Sequence, residues 1–298
     1  MAIVECVPNI SEARQPDVID AGAAAVRASG ARLLDRHSDR DHNRSVFTIA
    51  GSPDAVSAAA QALADVAITS IDLRTQHGVH PRIGAIDVVP FVPIEGISMD
   101  QCVDLARGFA AEMARRHHVP VFLYEAAATA RHRERLEAIR RGGLSGLATR
   151  MLDPAWAPDF GPAQPHPTAG VTVVGARMPL IAYNVNLDTD ELDVATAIAR
   201  VIRESSGGLP CVKALGLPIG ERGIVQVSMN LTNFHVTSMR AAFDAVTRAA
   251  GERGAGVLDS EIVGLVPAAA LTDADARDLR VRGYDGSQIL ERRLADRR

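Results

Sequence analysis

Apolar residues recur at helical spacing in some stretches of the chain and alternate with polar ones in others, and the two patterns take turns from end to end. The helical pattern predicts helices over 14–29, 53–70, 99–117, 189–205 and 238–250. Ser52-Pro53-Asp54 offers a capping hydroxyl followed by proline at the first helical position, and Ser98 with Gln101 has the spacing of a reciprocal capping box. Asp188 and Thr237 stand ahead of the last two helices, and Gly251 and Gly254 can supply left-handed stops. Short β-rich runs predict strands at 31–35, 45–51, 83–91, 119–124, 171–174, 180–187, 211–216, 224–231 and 257–263. Each amphipathic helix has one apolar stripe to bury, so β-α-β units of this size imply an α/β (α+β) chain with helices on an outer face. No sequence repeat of 20–50 residues is visible.

The pattern breaks near 150–180. Residues 153–170 contain five prolines and two glycines, which excludes a helix or central strand there. An inter-domain linker is one reading; Trp156 and Phe160 favour the other, a segment packed on something. The tail 272–298 is charge-rich, with Ile289, Leu290 and Leu294 spaced for a short amphipathic helix.

Composition narrows the classes. A chain of 298 residues has the length of about two domains, and 47% hydrophobic with 23% charged residues is the balance of a folded protein. The net charge of −4 has the wrong sign for a coat on nucleic acid or anionic lipid. The longest apolar run, 262–271, is too short to span a bilayer, and the first residues do not read as a secretory signal, so a cytoplasmic protein is expected. Cys6, Cys102 and Cys211 are scattered and odd in number, which predicts buried thiols rather than disulfides or a zinc knuckle. Lys213 is the only lysine and is either a survivor of coding bias or a functional ammonium.

Two polar clusters could carry chemistry. Residues 35–44, with Asp39, Asp41, His42, Asn43 and Arg44, read as a long hairpin loop, either solvated or the rim of a site for a charged small molecule. The second cluster is His77-Gly-Val-His80-Pro81-Arg82: proline restricts His80 to extended backbone, Gly78 frees the backbone, and Arg82 offers a planar fork for a carboxylate. An imidazole so aimed can take and return a proton near neutral pH. The competing reading is a metal held by His77 and His80 with Asp39, Asp41 or His42, although the spacing lacks the helical arrangement of zinc peptidases. No dinucleotide-binding, phosphate-loop or G-x-S-x-G motif is present, which argues against a nucleotide cofactor and serine hydrolysis. Further along, Asn184 and Asn186 share one face of a strand, either for sheet-edge or inter-domain hydrogen bonding or to recognise a heterocycle.

Val4-Glu-Cys-Val-Pro-Asn9, Asp41-His-Asn-Arg44, His80-Pro-Arg-Ile-Gly-Ala85, Asp87-Val-Val-Pro-Phe91, Trp156-Ala-Pro-Asp-Phe-Gly-Pro162, Gly175-Ala-Arg177, Val212-Lys-Ala-Leu-Gly216 and Ser260-Glu-Ile-Val-Gly-Leu-Val-Pro267 together resemble the formiminotransferase family, from residue 4 to about 271. The resemblance implies transfer of the formimino group of N-formimino-L-glutamate to N5 of tetrahydrofolate, a step of histidine breakdown and one-carbon metabolism. It implies two ferredoxin-like-style α/β subdomains, 1–179 and 180–298, whose sheets face each other across a folate-binding tunnel with helices outside, in a homodimer. The catalytic histidine falls on His80, and the folate segment on Gly161, Pro162, Ala163, Gln164, Pro165, His166, Pro167, Thr168, Ala169 and Gly170. Tetrahydrofolate is the expected cosubstrate, with no metal and no nucleotide.

Charge pairing adds Arg44 and Arg82 as candidates for the glutamate carboxylates and Asp39 or Asp41 for a cationic amidinium, with Asn43, Asn184, Asn186 and Lys213 as further substrate contacts. Two positions depart from the family pattern: Val79 stands where some members are acidic, and Ala13 where the opening motif has glycine. The sequence leaves no room for a cyclodeaminase, so a separate enzyme is expected to finish the pathway step. Formyl transfer between 5-formyltetrahydrofolate and glutamate is the nearest alternative; a metal-dependent formiminoglutamate hydrolase and a non-catalytic folate-binding protein are the alternatives of other classes.

Overall fold

A computed structural model describes residues 2–79 and 81–296; Met1, His80, Arg297 and Arg298 lie outside the described residues. The chain divides into two compact units, 1–177 and 178–298. No helix among the described residues is long and apolar enough to cross a membrane.

The first unit opens with β1 (Ile3–Cys6) and β2 (Asn9–Ile10), two pieces of one strand interrupted at Val7-Pro8. Both pieces pair with β4 (Arg44–Gly51) on one side and β5 (Ile86–Glu95) on the other, so the amino-terminal residues lie mid-sheet. Between them in sequence come α1 (Pro16–Ala28), the edge strand β3 (Arg32–Asp39) and α2 (Pro53–Ser70). The spatial order β3-β4-β1/β2-β5, all antiparallel, is that of a split β-α-β sheet. After α3 (Met99–His117), strands β6 (Val121–Glu125) and β7 (Thr172–Ala176) extend it in parallel, β7 lying between β5 and β6.

Helices α1 to α3 cover one face. Val56, Ala59, Ala60, Leu63, Ala64 and Ala67 give α2 a buried stripe, and its start is fixed as the sequence predicts, by the Ser52 hydroxyl accepting from Ala55 N and by Pro53. The capping box of Ser98 and Gln101 closes the start of α3, and His118 ends it in the left-handed conformation. The other face is not bare at the β5–β7–β6 end: α4 (Leu136–Arg140) and α5 (Gly143–Arg150) pack there, Ile139, Leu147 and Met151 meeting Val88, Phe122 and Val173. Helices on an outer face alone therefore understate this unit.

The second unit runs β8 (Ile181–Leu187), α6 (Leu192–Ile202), β9 (Val212–Ile219), β10 (Ile224–Leu231), α7 (Met239–Gly251) and β11 (Val257–Val263), then α8 (Asp273–Asp278) and α9 (Leu290–Ala295). Its antiparallel order β11-β8-β10-β9 repeats the topology of the first 95 residues, although no sequence repeat betrays it. Tyr183, Val185, Val227 and Met229 point to the core under α6 and α7 with Ile198, Phe243 and Val246.

Several expectations are corrected. Residues 153–170 are not a linker: Phe160 and Val121 exchange backbone hydrogen bonds, Trp156 packs against the buried cluster that includes Ile139 and Leu147, and the segment belongs to the first unit. The hairpin loop is only residues 40–43, because the polar run Arg36–Asp39 continues β3 along the sheet edge, where alternate side chains face water. Residues 83–85 precede β5 instead of opening it. Helix α6 starts at Leu192 because Asp188 does not cap it; its carboxylate accepts from Gly256 N (2.5 Å). Gly251 is helical, and the left-handed glycine is Gly254. Cys6 and Cys102 are buried, Cys211 is half-buried, and all three are free thiols.

Candidate functional site

The two polar clusters meet in the first unit. Loop 40–43 sits against 76–82: Asp41 O accepts from Val79 N (3.2 Å), and Arg82 donates to His42 O (2.6 Å) and Asn43 O (3.1 Å). Gly78 is required here for space. A Cβ at that position would lie 2.1 Å from an Arg82 nitrogen and 2.4 Å from His42 O, while its backbone is in an ordinary region, so close approach and not special dihedrals explains the glycine.

Asn43 is the pivot. Nearly buried and left-handed (φ 47°), it accepts from Ala13 N (2.9 Å) and donates to His77 O (3.1 Å) and to the Gln76 side chain. Gln76 in turn donates to Glu12 (2.8 Å), whose carboxylate also accepts from Arg14 N, Gln15 N and the Gln15 amide. Burial alone would raise the Glu12 carboxyl, but these hydrogen bonds outweigh it and hold the group below its ordinary value. Glu12 is 1% exposed and buried polar groups need partners, so Glu12–Gln76–Asn43 fixes where Gln76 and His77 lie. Sequence reading overlooks Glu12, which stands in no periodic element or polar cluster, and Gln76, which adjoins His77 but carries no charge.

Arg44 opens β4 directly after this loop and is half-buried. Burial pushes its guanidinium down to about 10, Arg140 and Arg82 push the same way, and Asp39 and Asp87 oppose them. Three arginines thus share two carboxylates, and Arg44 stays protonated at neutral pH. Asp39 accepts from His42 N (2.8 Å) and faces the His42 ring at 3.3 Å. Asp87 receives Ile83 N (2.7 Å), Gly84 N (3.0 Å) and the Arg140 guanidinium. The surplus of positive charge suits a substrate that brings a carboxylate.

Segment 161–170 is tied down at both ends. Gly161 (φ 85°) packs on the backbone of Val119, and Gly170 (φ 70°) bridges to Gly84. Thr168 O accepts from Leu73 N (2.9 Å) and Ala169 O from Ala85 N (2.9 Å), which brings 166–170 beside 83–85. Gly161, Ala163, Gln164 and Pro167 are exposed, while Pro162, Pro165, His166 and Thr168 are half-buried. His166 Nδ1 accepts from Thr168 N (3.3 Å) and Ala169 N (3.0 Å); burial and the nearby His117 and His118 lower its pKa, so the ring is neutral with its proton on Nε2.

Asn184, Asn186 and Lys213 lie in the second unit, on the sheet face turned away from α6 and α7. Strand β8 is internal, so edge capping does not apply. Instead Asn186 donates to Asp259 (2.6 Å) and Asn184 to Glu261 (3.0 Å), while Gln226 donates to Asn186 (2.9 Å) and Glu261 (3.1 Å). Lys213 is half-buried opposite Asn230 on the same face. His80, the expected catalytic residue, lies outside the described residues. Among the described residues, no three His, Cys, Asp or Glu side chains gather as a metal site needs.

A family model described as the formiminotransferase domain, N-terminal subdomain, matches residues 3–177, and a second, described as the formiminotransferase domain, matches 182–282. The chain belongs to the formiminotransferase family. It is 46% identical to the glutamate formimidoyltransferase of Streptococcus pyogenes serotype M1, over 98% of each chain. The glutamate formimidoyltransferase of Thermoplasma acidophilum is 40% identical, with 99% of this chain and 98% of that one covered. The formimidoyltransferase-cyclodeaminase of Sus scrofa is 42% identical over 92% of this chain, which spans 52% of that protein.

Proposed function

We propose that this member of the formiminotransferase family is a glutamate formimidoyltransferase, moving the formimino group of N-formimino-L-glutamate to N5 of tetrahydrofolate and releasing L-glutamate. One observation carries the reading: a protein of that name matches it at 46% identity across nearly the full length of both. The His80 imidazole takes the proton that N5 loses as the N5–carbon bond forms, and returns it to the glutamate nitrogen as the carbon–nitrogen bond breaks. No net proton is consumed. A positioned acid–base of this kind contributes about 10²–10⁴ in rate.

The neighbours of His80 support that role. Val79 is held by the Asp41 carbonyl, and Arg82 is stapled to His42 and Asn43, so both flanks of the Val79-His80-Pro81-Arg82 stretch are anchored. In this reading Arg44, with the remaining donors of Arg82, receives glutamate carboxylates, and Asp39 or Asp41 offsets the amidinium charge. Gly161–Gly170 receives the folate, and Asn43, Asn184, Asn186 and Lys213 are candidates for the remaining polar contacts. The same reading makes the protein a cytoplasmic homodimer of histidine breakdown whose product passes to a separate cyclodeaminase.

A donor panel tests this. Purified protein supplied with tetrahydrofolate and N-formimino-L-glutamate should release glutamate and form the 5-formimino product only when both are present. Failure with that pair, alongside formyl exchange between 5-formyltetrahydrofolate and glutamate, would replace the donor assigned here.

A further inference from the structure

We infer that the cleft between residues 131–141 and 150–156 is a binding site for a small, multiply charged oxyanion, either a phosphate or a di- or tricarboxylate. The cleft consists of two adjoining hollows of about 210 and 350 Å³ that share His132. Arg141, Arg150 and Trp156 line the first, and Arg131, Glu134 and Arg135 the second.

The arginines of this stretch fall into two groups. Those that point inward are paired with aspartates: Arg133 with Asp159 at 2.9 Å, and Arg140 with Asp87. Those that line the cleft are not. Arg131, Arg135 and Arg141 are exposed and make no ion pair among the described residues, as is true of single exposed arginines such as Arg107 and Arg200; here three such side chains gather around one cleft. Arg150 donates to the carbonyl oxygens of Ile139 and Arg141 (2.6 Å each), lies 4.6 Å from the Trp156 ring centre, and has a buried Nε with no partner.

Four guanidiniums against the single carboxylate of Glu134 leave a surplus of three cations around the two hollows. Helix α4 has five residues, too short for its dipole to account for three unpaired arginines. A multivalent oxyanion relieves the repulsion, and planar N–H forks match the oxygen geometry of phosphate and carboxylate alike. Volumes of this order suit a small ligand.

The test reads no turnover, so it succeeds or fails independently of the proposed transfer reaction. Trp156 is the only tryptophan, so intrinsic fluorescence reports from the cleft wall itself. The protein is titrated at constant ionic strength with inorganic phosphate, with citrate, and with sodium chloride as control. A saturable change with phosphate or citrate and none with chloride is expected, and comparing the two curves identifies the preferred anion. In an Arg135→Gln/Arg141→Gln variant of unchanged circular dichroism, the half-saturation point should rise at least about tenfold. A chloride response equal to that of the multivalent anions, no saturable change with either, or an unaltered curve in the double variant overturns the assignment.

Discussion

Arg140 and Asp87 form a buried pair whose carboxylate also reaches the main chain, since its other oxygen accepts from the N–H groups of Ile83 and Gly84, directly after Pro81-Arg82. Helix α4 is thereby joined to the backbone that follows the expected catalytic histidine. Asp87→Asn keeps a side-chain acceptor but leaves Arg140 without its counter-charge. We expect kcat to fall at least about tenfold with KM little changed, since misplacing a reacting group costs rate before it costs binding. Unchanged kcat with only a lower melting temperature would reduce the pair to a structural role.

His80→Asn should lower turnover at least about a hundredfold while folate still binds, because the amide cannot exchange protons near neutral pH. Single-turnover kinetics together with equilibrium folate titration separate the two effects. Near-normal turnover in the variant would remove His80 from the mechanism.

Glu12 titrates with a definite sign. Its folded pKa lies below the ordinary 4.5, so the stability it contributes is fully present above that value and is lost as pH falls through the folded pKa. Urea unfolding should show Glu12→Gln less stable than the parent at pH 7, with the gap closing in acid. A gap independent of pH would contradict the hydrogen-bonded carboxylate described here.

Asp159 holds the proline-rich segment on the first unit, accepting from Leu123 N (2.7 Å), the Thr129 hydroxyl and Arg133 (2.9 Å). Asp159→Ala strands a nearly buried arginine and a strand N–H, a loss of about 3–5 kcal/mol in chemical denaturation. A change under about 1 kcal/mol would mean that solvent replaces the carboxylate at little cost.

Much of this was legible in the chain itself. The long helices were, because Ser52-Pro53 and the Ser98–Gln101 box are local signals that tertiary packing does not override. Strands β1 and β2 were not: four and two residues around Pro8 are too short to display alternation, and their partners in β4 and β5 lie 35 to 92 positions away. The polar end of β3 resembles a loop because an edge strand needs few apolar side chains. At the candidate site, His42, Arg44 and Arg82 attract notice by residue type. Glu12 and Asp87 accept from backbone only two to four residues away, and what ties them to the site is a distant side chain, Gln76 for Glu12 and Arg140 for Asp87, which no local spacing encodes.

The broken strand at the amino terminus also dictates a timetable. A ribosome releases residues 3–10 first, yet their two neighbours arrive only with β4 and, last, with β5 ending at Glu95. Until then Val4, Cys6 and Ile10 are apolar surface in search of a partner, the exposure that invites chaperone capture or misassembly. Moving this strand behind β5 by circular permutation would let the sheet close in the order in which it is made.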